Sequence, residues 1–312
     1  MSKPFTFEAS HHIPFRDREA CARVRSIPRA KLDQHPNPDF KIQIVRDALL
    51  GWIATFDKFR RIQAASQENR PFVMMTGNPA PAYRELAYSL NACGVDCRNL
   101  HIFNVDEWAD QDGNVAPESY PQSFMRAFKK YFYHELDESI RPPESQIHAP
   151  SNANLADYQK MMDDLGGCDI CYTGPGWAGH MAFVDPDTPE FAAESLEEWK
   201  QMGTRIVTLN PFTIAQNSLH ACFGYSGDMA NVPPKAATIG PMEVLAAKER
   251  VHMHGLLTQG TRVSWQRMVG RLILHGPVTP QVPGSILQTV PTKVYVSESL
   301  AEDIEPVWGE GY

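Results

Sequence analysis

Residues 172–186 read Tyr-Thr-Gly-Pro-Gly-Trp-Ala-Gly-His-Met-Ala-Phe-Val-Asp-Pro and put His180 on a glycine-rich turn just after the apolar run 168–173. An imidazole is the side chain most readily used as a general acid or base near neutral pH. Gly174, Gly176 and Gly179 leave the backbone free to approach a ligand closely. Asp106 and Glu107 end a second apolar run, Leu-His-Ile-Phe-Asn-Val. A carboxylate there is either a proton-transfer base or a cap on loop amides. Neighbours on a strand face opposite ways, so only one of the two can enter a site, and Asp106 is the candidate. Thr76-Gly77-Asn78 opens a strand-to-helix turn that can cradle an anion on backbone N–H groups and the helix dipole. Pro79 and Pro81 withhold two of those donors.

Other chemistry-bearing residues carry less. Asp185 and Asp228 stand in loops, where aspartate is also an ordinary turn former. His252 and His254 would share one face of a strand, a two-ligand spacing without a third ligand, and read as a buried pair. Cys168-Asp-Ile-Cys171 matches CxxC inside an apolar strand, where i and i+3 point to opposite faces, and reads as free core thiols. The six cysteines are scattered and form no disulfide framework. There is no GxSxG elbow, GxxxxGK[ST] loop or HExxH helix.

The elements that must position these residues alternate between two periods. Helical spacing covers residues 40–65, 82–93, 117–136, 158–165 and 262–272, with a helical turn at 241–247. Strands are expected at 71–75, 99–105, 168–173, 205–209, 236–239, 251–257 and 293–296, and 276–291 reads as a surface loop. Alternating strands and helices predict a three-layer α/β fold with a largely parallel, doubly wound, Rossmann-like sheet. Ligands in such sheets bind at the carboxyl ends of strands, so Asp106 and His180 should line one cleft. Residues 1–38 form an N-terminal extension, and 39–312 a single α/β domain. A net charge of −8 argues against a nucleic-acid surface. With no long apolar run and no apolar signal core, the chain reads as cytoplasmic, without membrane contact.

In order, these segments resemble the glucosamine-6-phosphate deaminase and 6-phosphogluconolactonase superfamily over roughly residues 70–300. The resemblance rests on Thr76-Gly77-Asn78, Phe103-Asn-Val-Asp-Glu-Trp108, Glu118-Ser-Tyr-Pro-Gln-Ser-Phe-Met125, Gly174-Pro-Gly-Trp-Ala-Gly-His-Met-Ala-Phe-Val-Asp-Pro186 and Val232-Pro-Pro-Lys-Ala-Ala-Thr-Ile-Gly240. Trp108 and the run Ala-Phe-Val-Asp-Pro side with the deaminase branch. The resemblance implies an enzyme of carbohydrate metabolism that opens the ring of a sugar, amino sugar or sugar phosphate, without metal or cofactor. Asp106 would move a proton between C2 and C1, and His180 would assist ring opening. Thr76, Gly77, Asn78, Gly176 and Gly179 would shape the pocket. The partner implied is a small sugar, and a homo-oligomer is compatible with the family.

Departures from the family pattern matter here. An aspartate normally stands where this chain has Ala178, and a glutamate where it has Asp185, so the usual support of the histidine is expected to be broken. A family arginine falls nearest Leu219, with His220 beside it. A family lysine falls near Thr261, where the adjacent Arg262 is the candidate for a phosphate. Two alternatives follow from these losses: a lactonase-type hydrolase in which His180 activates water, or a non-catalytic sugar-binding module.

Overall fold

The computed structural model describes residues 5–77, 82–255 and 265–306. Its strands are β1 (Phe40–Val45), β2 (Phe72–Thr76), β3 (Leu100–Asn104), β4 (Asp106–Ala109), β5 (Ile147–His148), β6 (Ile170–Thr173), β7 (Arg205–Thr208), β8 (Lys235–Thr238), β9 (Glu249–His254) and β10 (Thr292–Ser297). Its helices are α1 (Arg18–Arg25), α2 (Leu50–Gln67), α3 (Tyr83–Ala92), α4 (Phe124–Tyr131), α5 (Tyr158–Asp163), α6 (Leu196–Lys200), α7 (Pro211–Ser218), α8 (Pro241–Ala246), α9 (Gln266–His275) and α10 (Glu298–Ala301).

Seven strands form one sheet in the order β1-β10-β9-β6-β2-β3-β5, every pairing parallel. Side chains alternate across it. Val73 and Met75 of β2 face a core shared with Tyr158, Met162, Val244 and Leu274, while Phe72 and Met74 face one shared with Ile62, Leu86, Leu90 and Phe128. Both faces are therefore covered by helices, as the alternation of periods predicts. From β2 the chain runs outward through β3 to β5, then crosses back to β6 on the other side of β2. That reversal puts the switch point, and the crevice it opens, at the carboxyl ends of β2 and β6.

Several expectations are corrected. The helix expected over 40–65 begins only at Leu50, and Phe40–Val45 is an edge strand paired with β10. Phe40, Ile42 and Ile44 also alternate with polar residues, and their aromatic and β-branched side chains decide for the strand. The helix expected over 117–136 is confined to α4, because Ser123 caps it by accepting a hydrogen bond from Arg126 N. Strands at 205–209 and 236–239 do not join the main sheet; with β4 they make a three-stranded antiparallel sheet ordered β4-β8-β7. The segment read as a surface loop holds a 3₁₀ stretch whose residues Pro283 to Leu287 are buried. Cys168 precedes β6, so strand alternation does not govern it, and both thiols of the CxxC pair lie in the same core, free and buried. Of the expected strand 251–257 and helix 262–272, residues 256–264 lie outside the described residues.

Ahead of β1, Val24 of α1 packs with Leu272, Ile273 and Val282, and Leu32 joins the main core. Among the described residues no helix is long and apolar enough to cross a membrane.

Candidate active site

Asp106 and Glu107 take opposite roles, as strand alternation requires. Glu107 turns inward to cap α4. It accepts from Phe124 N (3.0 Å), Met125 N (2.9 Å), Trp108 N (2.9 Å) and the Ser123 hydroxyl (2.8 Å). Asp106 has no such set: its Oδ1 is shielded from solvent with no hydrogen-bond partner among the described residues. Burial, and then the neighbouring Glu107, push its carboxyl well above the usual carboxylate range. Such a group in a strand-end position is a candidate for proton transfer.

His180 is buried, yet among polar groups. Its Nδ1 lies 2.6 Å from Asp185 Oδ1 and 3.0 Å from Thr213 Oγ1. Thr213 Oγ1 donates to Asp185 Oδ1 at 2.7 Å, and Asn210 N donates to Asp185 Oδ2 at 2.9 Å. This network fits a ring protonated on Nδ1, with Nε2 left as the working atom. Nε2 faces Gly176, where a Cβ would fall only 1.7 Å away, so only glycine leaves the ring this position. Gly179 has φ +78, and its carbonyl accepts from Gly284 N at 2.8 Å, which fixes the turn from behind.

The expected loss of support at residue 178 is thus corrected. Asp185 reaches Nδ1 despite its shorter side chain, because the turn at Ala182 (φ 49) and the α7 N-terminus draw it in. Thr213, in the first turn of α7, completes the network. Sequence reasoning missed it, since nothing local ties residue 213 to 180. In the sequence His220 stands out only as the neighbour of Leu219. Both its ring nitrogens are shielded and unpartnered among the described residues, and burial, helped by His180, pushes its pKa down to about 4.

The two halves of the site are stitched together through β8. Asp106 pairs with Thr238 in the antiparallel sheet, and Thr238 Oγ1 accepts from Phe183 N at 3.0 Å. Phe183 in turn packs its ring on Trp108 at 5.2 Å and 6.2 Å from that of His180.

At the switch point, Thr76 Oγ1 lies 3.0 Å from the Tyr83 hydroxyl, which donates to Gly77 O at 2.9 Å. Lys58, unmarked in the sequence, brings a buried ammonium to this corner, 5.2 Å from the Tyr83 ring centroid and 4.8 Å from that of Tyr172. Burial lowers its pKa to about 8 against the pull of Asp57. Leu219 is partly exposed and carries no charge. Asn78, Thr261 and Arg262 lie outside the described residues. His252 and His254 are buried with rings 4.6 Å apart, and His252 Nδ1 meets Thr173 Oγ1 at 2.8 Å. No group of three or more His, Cys, Asp or Glu suited to a metal occurs among the described residues.

An open parallel sheet with a strand-end carboxylate after β3 and a carboxylate-held histidine on the turn after β6 defines an α/β protein with its candidate site at the switch point. Comparison with known proteins narrows this. A glucosamine-6-phosphate deaminase of Phocaeicola vulgatus is 31% identical over 212 residues, 65% of this chain and 72% of the relative. Glucosamine-6-phosphate deaminase 2 of Giardia intestinalis is 26% identical over 245 residues, 77% and 82% of the two chains. Among solved structures, a monomeric glucosamine-6-phosphate deaminase superposes with a TM-score of 0.66 at 22% identity, covering 84% of this chain and 99% of the other. The 6-phosphogluconolactonase of Leishmania guyanensis superposes with a TM-score of 0.59 at 14% identity, covering 86% and 99%. No family model matches. The chain belongs to the glucosamine-6-phosphate deaminase and 6-phosphogluconolactonase superfamily.

Proposed function

We propose that this protein is an enzyme that opens the ring of an amino sugar or related sugar and moves a proton between C2 and C1. The observation that carries the reading is the His180–Asp185–Thr213 network, which holds an imidazole with Nε2 free of hydrogen bonds among the described residues. His180 Nε2 exchanges a proton with the ring oxygen as the C1–O bond opens, and Asp185 stabilises the imidazolium that forms. Asp106 then takes the C2 proton and returns it to C1; where the substrate carries a C2 amine, a proton also passes from nitrogen to O1, so that the C1 aldehyde becomes a hydroxymethyl group and C2 an imine. Water adds to that imine and ammonia leaves. An incoming C2 ammonium beside Asp106 offsets the burial that raises its carboxyl above the usual carboxylate range. That electrostatic match favours an amino sugar. Thr76, Gly77, Asn78, Gly176, Gly179 and Arg262 are proposed to shape the substrate pocket.

A second reading, hydrolysis of a sugar lactone, is favoured by one observation: the His180–Asp185 pair alone could activate water, whereas burial disfavours the charged form of Asp106. Two variants separate the readings. Asp106→Asn should abolish ammonia release and aldose–ketose conversion, because an amide cannot accept the C2 proton, and His180→Ala should cripple both. A parent that hydrolyses a sugar δ-lactone and keeps that activity in Asp106→Asn, with no ammonia released from any amino sugar, would establish the hydrolase instead. A parent that binds sugars and turns none over would leave a binding module.

A further inference from the structure

Two tryptophans from distant parts of the chain meet at the carboxyl edge of the sheet. Trp177 sits on the turn after β6, between Gly176, which abuts His180 Nε2, and Ala178. Trp265 stands at the N-cap position of α9, the helix that follows β9 in the chain. Their ring centroids lie 5.7 Å apart at an interplanar angle of 51°, and both residues are only half-buried. Two large aromatic rings left partly open to solvent at a strand-end crevice are more than core packing requires. The placement of Trp177 is also fixed independently. Its backbone N–H donates to Gln216 Oε1 at 2.6 Å, and Gln216 lies one turn along α7 from Thr213, which holds His180 and Asp185. One helix face therefore positions both the imidazole and the aromatic surface beside it.

Building on the amino-sugar reading above, we propose that Trp177 and Trp265 form an aromatic wall of the site that stacks on the C–H face of the substrate's sugar ring. A pyranose presents one face of axial C–H groups, and an indole is the largest flat apolar surface a protein can offer to it. The tilted pair covers a ring from one side while leaving its hydroxyls to polar groups. Grip of this kind is independent of substrate charge, and it suits a site whose Leu219 is uncharged. The wall contacts the closed ring as it binds and as its C1–O bond begins to open, so it governs binding rather than the later proton transfer.

The test uses calorimetry and steady-state kinetics on the full chain, with D-glucosamine and D-glucosamine 6-phosphate as probes. Trp177→Leu and Trp265→Leu should each weaken binding of both sugars ~10-fold, the loss expected for one aromatic contact. KM should rise by a similar factor while kcat stays within about twofold, the signature of lost uniform binding. Trp177→Phe keeps an aromatic face and should recover most of the affinity, which a loss through poor folding would not mimic. The sugar-induced change in tryptophan fluorescence should shrink in both leucine variants. Leucine variants that bind both sugars as tightly as the parent overturn the wall alone. A fall in kcat without a change in KM also overturns it, because it would show that Trp177 merely positions His180. A parent that binds neither sugar overturns the amino-sugar reading, and the wall with it.

Discussion

Gly176→Ala is the sharpest perturbation the site offers. Gly176 is not among the glycines with positive φ, so alanine meets no backbone penalty there. The conflict is wholly with His180. The new Cβ would lie 1.7 Å from Nε2, 2.1 Å from Cε1 and 2.2 Å from Cδ2, whereas ordinary contact begins at 3.4 Å. The imidazole must therefore withdraw by about 1.7 Å, or the turn must shift as far. Either movement breaks a network whose Nδ1 contacts are 2.6 Å and 3.0 Å long. A misplacement of about 1 Å in a reacting group can cost ~10²-fold in rate, so kcat/KM should fall at least that far, about 2.7 kcal/mol of transition-state stabilisation. The assay is ammonia release from glucosamine and its 6-phosphate, run beside thermal melts. Gly51→Ala in α2 is the control, since its Cβ meets nothing within 4 Å and activity should be unchanged. A folded Gly176→Ala protein with parental kcat/KM would refute the placement of His180 in the reaction.

Asp106→Asn should melt higher than the parent near neutral pH and no higher below pH ~4. The folded-state pKa is raised, so between the unfolded value and the folded one the native chain holds a proton the unfolded chain has lost, and stability falls as pH rises; a parent that gains on Asp106→Asn as pH rises would contradict the sign. Glu107→Ala strands three donors at the start of α4, with Trp108 N in β4 as a fourth, and should destabilise by about 3 kcal/mol in denaturant titrations; a change within 0.5 kcal/mol would deny the capping role. Thr213→Val keeps the volume but removes the hydroxyl at His180 and Asp185, so kcat/KM should drop ~10-fold, read from initial rates. Glucosamine 6-phosphate should turn over more slowly than a non-phosphorylated amino sugar, given the uncharged Leu219; the reverse order in competition assays would show that cations elsewhere hold the phosphate.

The legible parts of this molecule are those whose signals are local. Strands β2, β3 and β6 announce themselves as short apolar runs between turn residues, and the glycine-rich turn after β6 marks where a side chain can be brought close to a ligand. From these alone the layers, the parallel sheet and the positions of Asp106 and His180 at strand ends follow. The edge strand β1 was hidden because Phe40, Ile42 and Ile44 fit a helical period when the window runs on into α2, and only pairing with β10 decides between them. In the sequence Asp106 and Glu107 stand at the end of a strand over 99–105, because nothing local shows that the chain leaves the main sheet at Val105 and starts a second one against β8.

The support of His180 shows the same limit from the other side. Position by position, Ala178 removes a carboxylate and Asp185 shortens another, so a linear reading finds the relay broken. Distance along the chain is the wrong measure, because a hydrogen bond depends on where the backbone carries the side chain. With Ala182 at φ 49 and Asn210 N drawing in Oδ2, the carboxylate of Asp185 closes on Nδ1 at 2.6 Å, and a threonine 33 positions from the histidine adds a further partner at 3.0 Å. A charge-assisted contact of this kind contributes about 1.5–3 kcal/mol, enough to hold one rotamer and one tautomer of the imidazole against the alternatives. The missing aspartate therefore removes one route to an oriented histidine and not the orientation itself.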